Sequence, residues 1–397
     1  MAASRTILIA GAGIGGLTAA IGLARAGHRV EIVEQAPALS DIGAGLQISP
    51  NAARVLIGLG LGDRLADSAT IPDAVSVRSG RTDREIASMP LGQAMAFRFG
   101  APYWVLHRGD LQAALADAVA DEPDVSLNLG SKLTDFATHS NGLTALVGRR
   151  GQTDEVPARA LIGADGLWSA TRVRLKPRIS LPDFRGRTAW RATLPAGDVP
   201  DIWRGTLIRL WLGPKAHLVL YPLRGGALTN LVAIVQDGWR EKGWSAAGNA
   251  FELLQHFPAR GWSAKVRDLL DLPKSWVKWA LFDSDRSFTG EGPVTLIGDA
   301  AHPLLPFLAQ GAGMAIEDAA ALTQALSDKN ADISTALRRF EAGRRARIDR
   351  VREAARLNGR IYHMSGPAAL ARNAGMRMLG GKALLQRYDW LYDWRPD

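Results

Sequence analysis

The chain has 397 residues, 47% hydrophobic and 22% charged, with 42 glycines and no cysteine. That is enough apolar sequence for a large core, in two or three domains or one interleaved fold, and it excludes disordered and collagen-like chains. The missing cysteines exclude disulfides, thiolate metal sites, Fe–S clusters and a cysteine nucleophile, and fit a reducing, cytoplasmic setting. A net charge of +9 invites a nucleic-acid or membrane reading. However, Ala336 to Asp397 holds 14 Lys/Arg against 6 Asp/Glu, and the rest holds 34 against 33. The basicity is local, and neither nucleic acid nor membrane is expected as a partner. The arginines from Arg338 to Arg356, interspersed with Glu341, Asp349 and Glu353, read as the solvated, ion-paired face of a helix.

Thr6 to Ala24 is uncharged and long enough to pass for a marginal membrane helix, but five glycines argue against that. Thr6–Ala10 has the apolar, β-branched pattern of a buried parallel strand. It runs into Gly11-Ala12-Gly13-Ile14-Gly15-Gly16, a GxGxxG, and then into a helix from Ile14 to about Ala26 that closes at Gly27. A second strand, His28–Glu34, ends on a carboxylate 18 residues after Gly16. Gly11 permits the tight turn, Gly13 lets backbone approach a pyrophosphate, Gly16 packs helix on strand, and Glu34 reaches a ribose hydroxyl pair. Strand, glycines, helix, strand and acid in that order point to a dinucleotide with an unphosphorylated ribose, FAD or NAD.

Two later strands also end on aspartate. Ala160–Ile162 leads into Gly163-Ala164-Asp165-Gly166-Leu167-Trp168-Ser169 with Arg172 one turn on; Val294–Ile297 leads into Gly298-Asp299-Ala300-Ala301-His302-Pro303. The carboxyl ends of such strands are where open α/β sheets bind ligands. Pro306 through Gly313 opens a helix at Gly311, so its N–H groups and dipole can face negative charge. Between them, Thr206–Leu212, His217–Leu223 and Leu228–Gln236 read as three strands with turns at Gly213-Pro214 and Gly225-Gly226. Alternation puts His217, Val219 and Tyr221 on one face of the middle strand. The seven histidines show no metal-ligand spacing, His302 reads as structural, and the twelve tryptophans read mainly as packing.

These motifs, with Gly43–Asn51, His107–Leu111 and Asp389–Tyr392, resemble the single-component FAD-dependent aromatic hydroxylases, nearest the salicylate, 3-hydroxybenzoate and 6-hydroxynicotinate hydroxylase branch. The resemblance implies an α/β fold: a Rossmann-like FAD-binding domain (1–72, 101–180, 286–360) interleaved with a β-sheet substrate domain (73–100, 181–285), then a C-terminal helical segment (361–397). It implies FAD contacts from Gly11, Gly13, Gly15, Gly16, Glu34, Gln35 and Gly45. Arg108 would contact the flavin's polar chain, Asp165 both FAD and the nicotinamide nucleotide, and Asp299 the ribityl hydroxyls. Pro306, Gly311, Ala312 and Gly313 would border the flavin ring. His217 and Tyr221 would face the substrate and assist ring attack, with Gln47 and Gln310 as further polar contacts. Members acting on hydroxynicotinate tend to carry histidine where this chain has Gln47.

The activity so implied is hydroxylation of a small phenolic aromatic acid with NADH or NADPH and O2, through a flavin C4a-hydroperoxide, by a monomer or homodimer without a metal. An FAD-dependent epoxidase or oxidase, or a flavin-binding regulatory protein, would keep the same cofactor motifs.

Overall fold

A computed structural model describes residues 5–39, 45–149, 151–176, 181–243, 245–286, 288, 290–328 and 331–396. The stretch Gly43–Asn51 therefore falls partly outside the described residues. Five strands pair in parallel in the order Val294–Leu296, Ala160–Gly163, Thr6–Ala10, Arg29–Glu34, Val125–Leu129. Their near-continuous apolar sequence follows from burial on both faces. Ile7 and Ile9 pack into the layer that holds the helices Ile14–Arg25 and Gly311–Ala325. Leu8 and Ala10, pointing the other way, pack on Leu133, Phe136, Leu143 and Val147 of a three-stranded antiparallel sheet.

A second, eight-stranded sheet stands beside this layer. Its order is Ala246–Gly248, Trp276–Asp283, Asp183–Pro195, Leu228–Gln236, Ala216–Leu223, Ile208–Gly213, Ala74–Ser79, Glu85–Pro90. The third strand of the Thr206–Gln236 group matches its expected limits, and the first begins at Ile208 rather than Thr206. Period-two alternation gives the sheet two unlike faces. Trp190, Trp211, Leu218, Leu231 and Ala233 form one core with Phe257, Trp262 and Trp276. Ala189, Tyr221, Val232 and Ile234 face the other way, toward Leu305 and Phe307 of the loop before the Gly311 helix.

The C-terminal region is helical, led by Ile333–Tyr362 and Gly366–Gln386. The expectation of a solvated, ion-paired arginine face holds for part of the run, with Arg339, Arg345 and Arg350 exposed and Arg338 and Arg352 paired to Glu341 and Asp349, and is corrected for the rest. Arg344 is 3% exposed. The reason lies on the Gly311–Ala325 helix, whose Glu317 and Asp318 are fully buried. Two buried carboxylates need counter-charges. Arg344 supplies one to each at 2.8 Å, and Arg347 reaches Glu317 at 2.6 Å. Further along, Arg356 donates to Asp283 of the eight-stranded sheet at 2.8 Å. Arg344, Arg347 and Arg356 thus clamp the helix to the layers beside it. Among the described residues no helix is long and apolar enough to cross a membrane.

Candidate active site

At the carboxyl edge of the parallel sheet, Gly11 has φ +109°, and a Cβ there would lie 2.5 Å from the Ala164 carbonyl oxygen. Only glycine fits. A Cβ on Gly13 would meet nothing within 4 Å, which leaves open backbone at the helix N-terminus. Glu34 accepts hydrogen bonds from the Ala12 and Ala36 N–H groups, both at 2.8 Å, so its carboxylate is fixed beside the glycine loop. Gln112 donates to the Ala12 carbonyl at 2.8 Å and ties in the helix Arg108–Ala120, which Arg108 opens.

The two strand-end aspartates occupy neighbouring strands but different environments. Asp165 accepts from Ser169 Oγ at 2.5 Å and from Thr171 N and Oγ1 at 2.9 Å, so it organises the turn into the helix Ala170–Leu175. Arg172 joins that turn to the second one by donating to the carbonyls of Asp299 and Ala300 at 3.1 and 2.8 Å. Asp299, in contrast, has no side-chain hydrogen bond with any described residue. Burial raises its carboxyl, against His302, Arg108 and Arg172. His302 itself is buried and bonds Asp318 at 2.5 Å, in keeping with a structural role.

The Gly311–Ala325 helix begins after Gln310 without an acidic residue in its first turn. The N–H groups of Gly311, Ala312 and Gly313 lie in that turn, which has no intrahelical acceptors to offer them. Gln310 is committed elsewhere: its amide donates to Ser49 Oγ at 2.8 Å and accepts from Asn51 at 3.2 Å. Asn51 continues to Glu317 at 2.6 Å. Gln310 therefore anchors the buried network under the loop. A dinucleotide fits this edge, with open backbone at Gly13, a fixed acid at Glu34, an unpartnered acid at Asp299 and a helix N-terminus beyond Pro306.

The eight-stranded sheet closes over these groups. His217 and Tyr221 share its inner face and are 2% and 3% exposed. Tyr221 packs so closely on the backbone that a Cβ on Gly45 would lie 2.4 Å from its ring. Burial raises its hydroxyl pKa, and the phenol is neutral at working pH. His217 Nδ1 lies 2.8 Å from His363 Nε2, and its ring stands 5.4 Å from Phe307. Burial, helped by His363 and Arg187, holds the His217 imidazole well below its ordinary range. His217 is thus a neutral acceptor or donor, and it cannot rest as a cation.

Three residues around this face escape the sequence reading. Tyr103 is buried and donates to Gln47 Oε1 at 2.7 Å, which orients that amide. His363 reaches His217 from the end of the long C-terminal helix, too far along the chain for any motif to link them. Arg191 shares the His217 face, and its alternation with the core residue Trp190 was the available signal. Among the described residues no cluster of three or more His, Asp or Glu could hold a metal ion.

The chain matches the family model described as FAD binding domain over residues 4–355. It is 37% identical over 392 residues to 3-hydroxybenzoate 6-hydroxylase 1 of Aquipseudomonas alcaligenes, covering 97% of each chain. To 3-hydroxybenzoate 6-hydroxylase of Klebsiella oxytoca it is 34% identical over 401 residues, covering 100% of this chain and 98% of the relative. Among solved structures, a salicylate hydroxylase substrate complex superposes with a TM-score of 0.82 at 24% identity, covering 100% of this chain and 97% of the other.

Proposed function

The chain belongs to the FAD binding domain family, and on that premise we propose that it is an FAD-dependent monooxygenase that hydroxylates a small aromatic acid carrying a ring hydroxyl. NADH or NADPH would be the electron donor and O2 the oxidant. The observation that carries the reading is the juxtaposition of His217 and Tyr221, buried on one sheet face, with the loop and strand ends that suit a flavin. The relatives named for 3-hydroxybenzoate support the substrate class.

Bound along the Gly13, Glu34 and Asp299 edge, FAD supplies electron uptake from the nicotinamide and activation of oxygen. The chain's own task is to hold, desolvate and polarise the ring. His217, neutral by burial, can accept a hydrogen bond from the substrate hydroxyl, and Tyr221 can donate one. A phenol so held is a better nucleophile at its ring carbons. The Gly311–Gly313 backbone offers N–H groups to charge that builds beyond it. Hydrophobic walls from Phe307, Val219 and Ile234 keep water away from the reacting atoms.

The test is a panel of hydroxylated benzoates added to the FAD-loaded protein, scored by NADH and NADPH oxidation. Acceleration by at least one acid is expected. If no aromatic acid accelerates it, the hydroxylase reading fails.

A further inference from the structure

Arg191 lies on the strand Asp183–Pro195, in the row of the sheet that joins it through Val232 to Val219. The rows on either side run through Ala189 and Ile234 to His217, and through Thr193 and Asn230 to Tyr221. All of these side chains share the inner face. Two inter-strand spacings, about 10 Å, separate the Arg191 strand from that of Tyr221, and the Arg191 guanidinium and the Tyr221 hydroxyl are close enough to interact electrostatically. The guanidinium lies 4.3 Å from the centre of the ring of Trp279, on the strand Trp276–Asp283 that flanks the Arg191 strand on the side away from Tyr221.

Among the described residues no carboxylate pairs with Arg191, and its buried Nε has no hydrogen-bond partner. Burial brings the guanidinium down to about 10, so it stays protonated at neutral pH. Its charged neighbour is another cation, Arg108. Arg187, on the same face, differs in having Asp283 as a counter-charge. A half-buried cation without an anion is costly unless a ligand supplies one.

We propose that Arg191 is the carboxylate subsite: it binds the acid group of the aromatic substrate while His217 and Tyr221 hold the ring hydroxyl. This rests on the aromatic-acid reading above. Tyr221 and Arg191 share the inner face, so one ring can meet the phenol at its hydroxyl and the guanidinium at its carboxylate. Recognition of an acid against its uncharged analogue then depends on one side chain.

The experiment compares binding of 3-hydroxybenzoate and 3-hydroxybenzamide to the FAD-loaded protein and to Arg191→Met and Arg191→Lys. Methionine keeps the apolar stem over Trp279 without the charge. Flavin absorbance perturbation reads the dissociation constants, and FAD content and Tm check that each variant is folded and loaded. Arg191→Met should weaken the acid by about 10–100-fold, the range for a lost charge-assisted pair, and change the amide little. Arg191→Lys should recover part of the difference. An unchanged acid-to-amide ratio in Arg191→Met overturns the proposal. So does loss of FAD or a shifted flavin potential at an unchanged ratio, which would assign Arg191 to the flavin. If the unsubstituted protein binds neither probe and no other aromatic acid speeds NADH oxidation, it is the functional reading that fails. If Arg191→Met does not fold, the lysine variant decides: it must prefer acid over amide less strongly than the unsubstituted protein does.

Discussion

The two faces of the eight-stranded sheet are built from the same strands, one residue out of phase, and do opposite work. The outer face carries Trp190, Trp211 and Trp276, each about 1% exposed or less and packed with Trp262, and its buried cations are engaged: Lys278 pairs with Glu252, and Arg209 donates to the Trp203 and Arg204 carbonyls. The inner face carries His217, Tyr221, Arg187 and Arg191 among apolar neighbours, where each polar group is held neutral, stacked on a ring or left without a counter-ion. His217 and Tyr221 are nearly as buried as the tryptophans, while Arg187 and Arg191 are half-buried. The difference is what the polar groups meet: carbonyls and a carboxylate on one face, a neutral imidazole and an unmet positive charge on the other.

Substitutions should therefore separate by face. The largest effect is expected at His217→Ala, which should retain FAD yet slow hydroxylation by about 10²–10⁴-fold, the usual range for a positioned proton-transfer group. Product formation per bound flavin measures it, and normal turnover would remove His217 from the chemistry. Trp211→Ala on the opposite face should cost about 3–5 kcal/mol of stability while leaving turnover per folded, FAD-loaded molecule near normal. Urea unfolding checks the first part, and a large loss of turnover per flavin would blur the division between faces.

A smaller effect is expected where the inner face meets the parallel sheet. Asp299→Ala should weaken FAD by about 10–100-fold if its unpartnered carboxylate binds cofactor hydroxyls. Asp165→Ala should act more through stability, because Asp165 is already engaged by Ser169 and Thr171. Comparing FAD dissociation with Tm for the two variants tests this, and equal behaviour would contradict the distinction.

The smallest effect is a pH slope. His217 is buried neutral, with its pKa depressed from 6.5. Above pH 6.5 folded and unfolded chains both leave it neutral, so its contribution to stability is fully present. As pH falls below 6.5 the unfolded chain takes up a proton that the folded chain refuses. Stability then drops by about 1.4 kcal/mol per pH unit for this group. His217→Gln should flatten the fall in unfolding free energy between pH 6 and pH 5, and an unaltered slope would show that His217 titrates normally.

What was legible in the sequence follows from how local each constraint is. Gly11 and Glu34 could be read because turn, approach and acid lie within one strand–helix–strand unit, and the structure puts Glu34 on the Ala12 N–H. His217 and Tyr221 could be placed on one face because alternation needs only their own strand. Arg191, Tyr103 and His363 could not be joined to them, since sheet register and the path of a 30-residue helix bring them in. The buried members of the arginine run could not be told from its exposed ones for the same reason. Its fate depends on Glu317 and Asp318, 27 and 26 positions from Arg344, and on Asp283, 73 positions from Arg356. Gln310 likewise looked open to substrate, and only its partners Ser49 and Asn51 reveal that it is occupied.

The central claim is that the inner face presents a hydroxylated aromatic acid to activated oxygen. Its most direct test is turnover of 3-hydroxybenzoate with NADH under isotopically labelled O2, followed by mass analysis of the product. The account predicts a product carrying one labelled oxygen atom on the ring, formed by the unsubstituted protein and strongly reduced in His217→Ala. NADH oxidation that yields only hydrogen peroxide with every acid tried, and no labelled aromatic product, would contradict it.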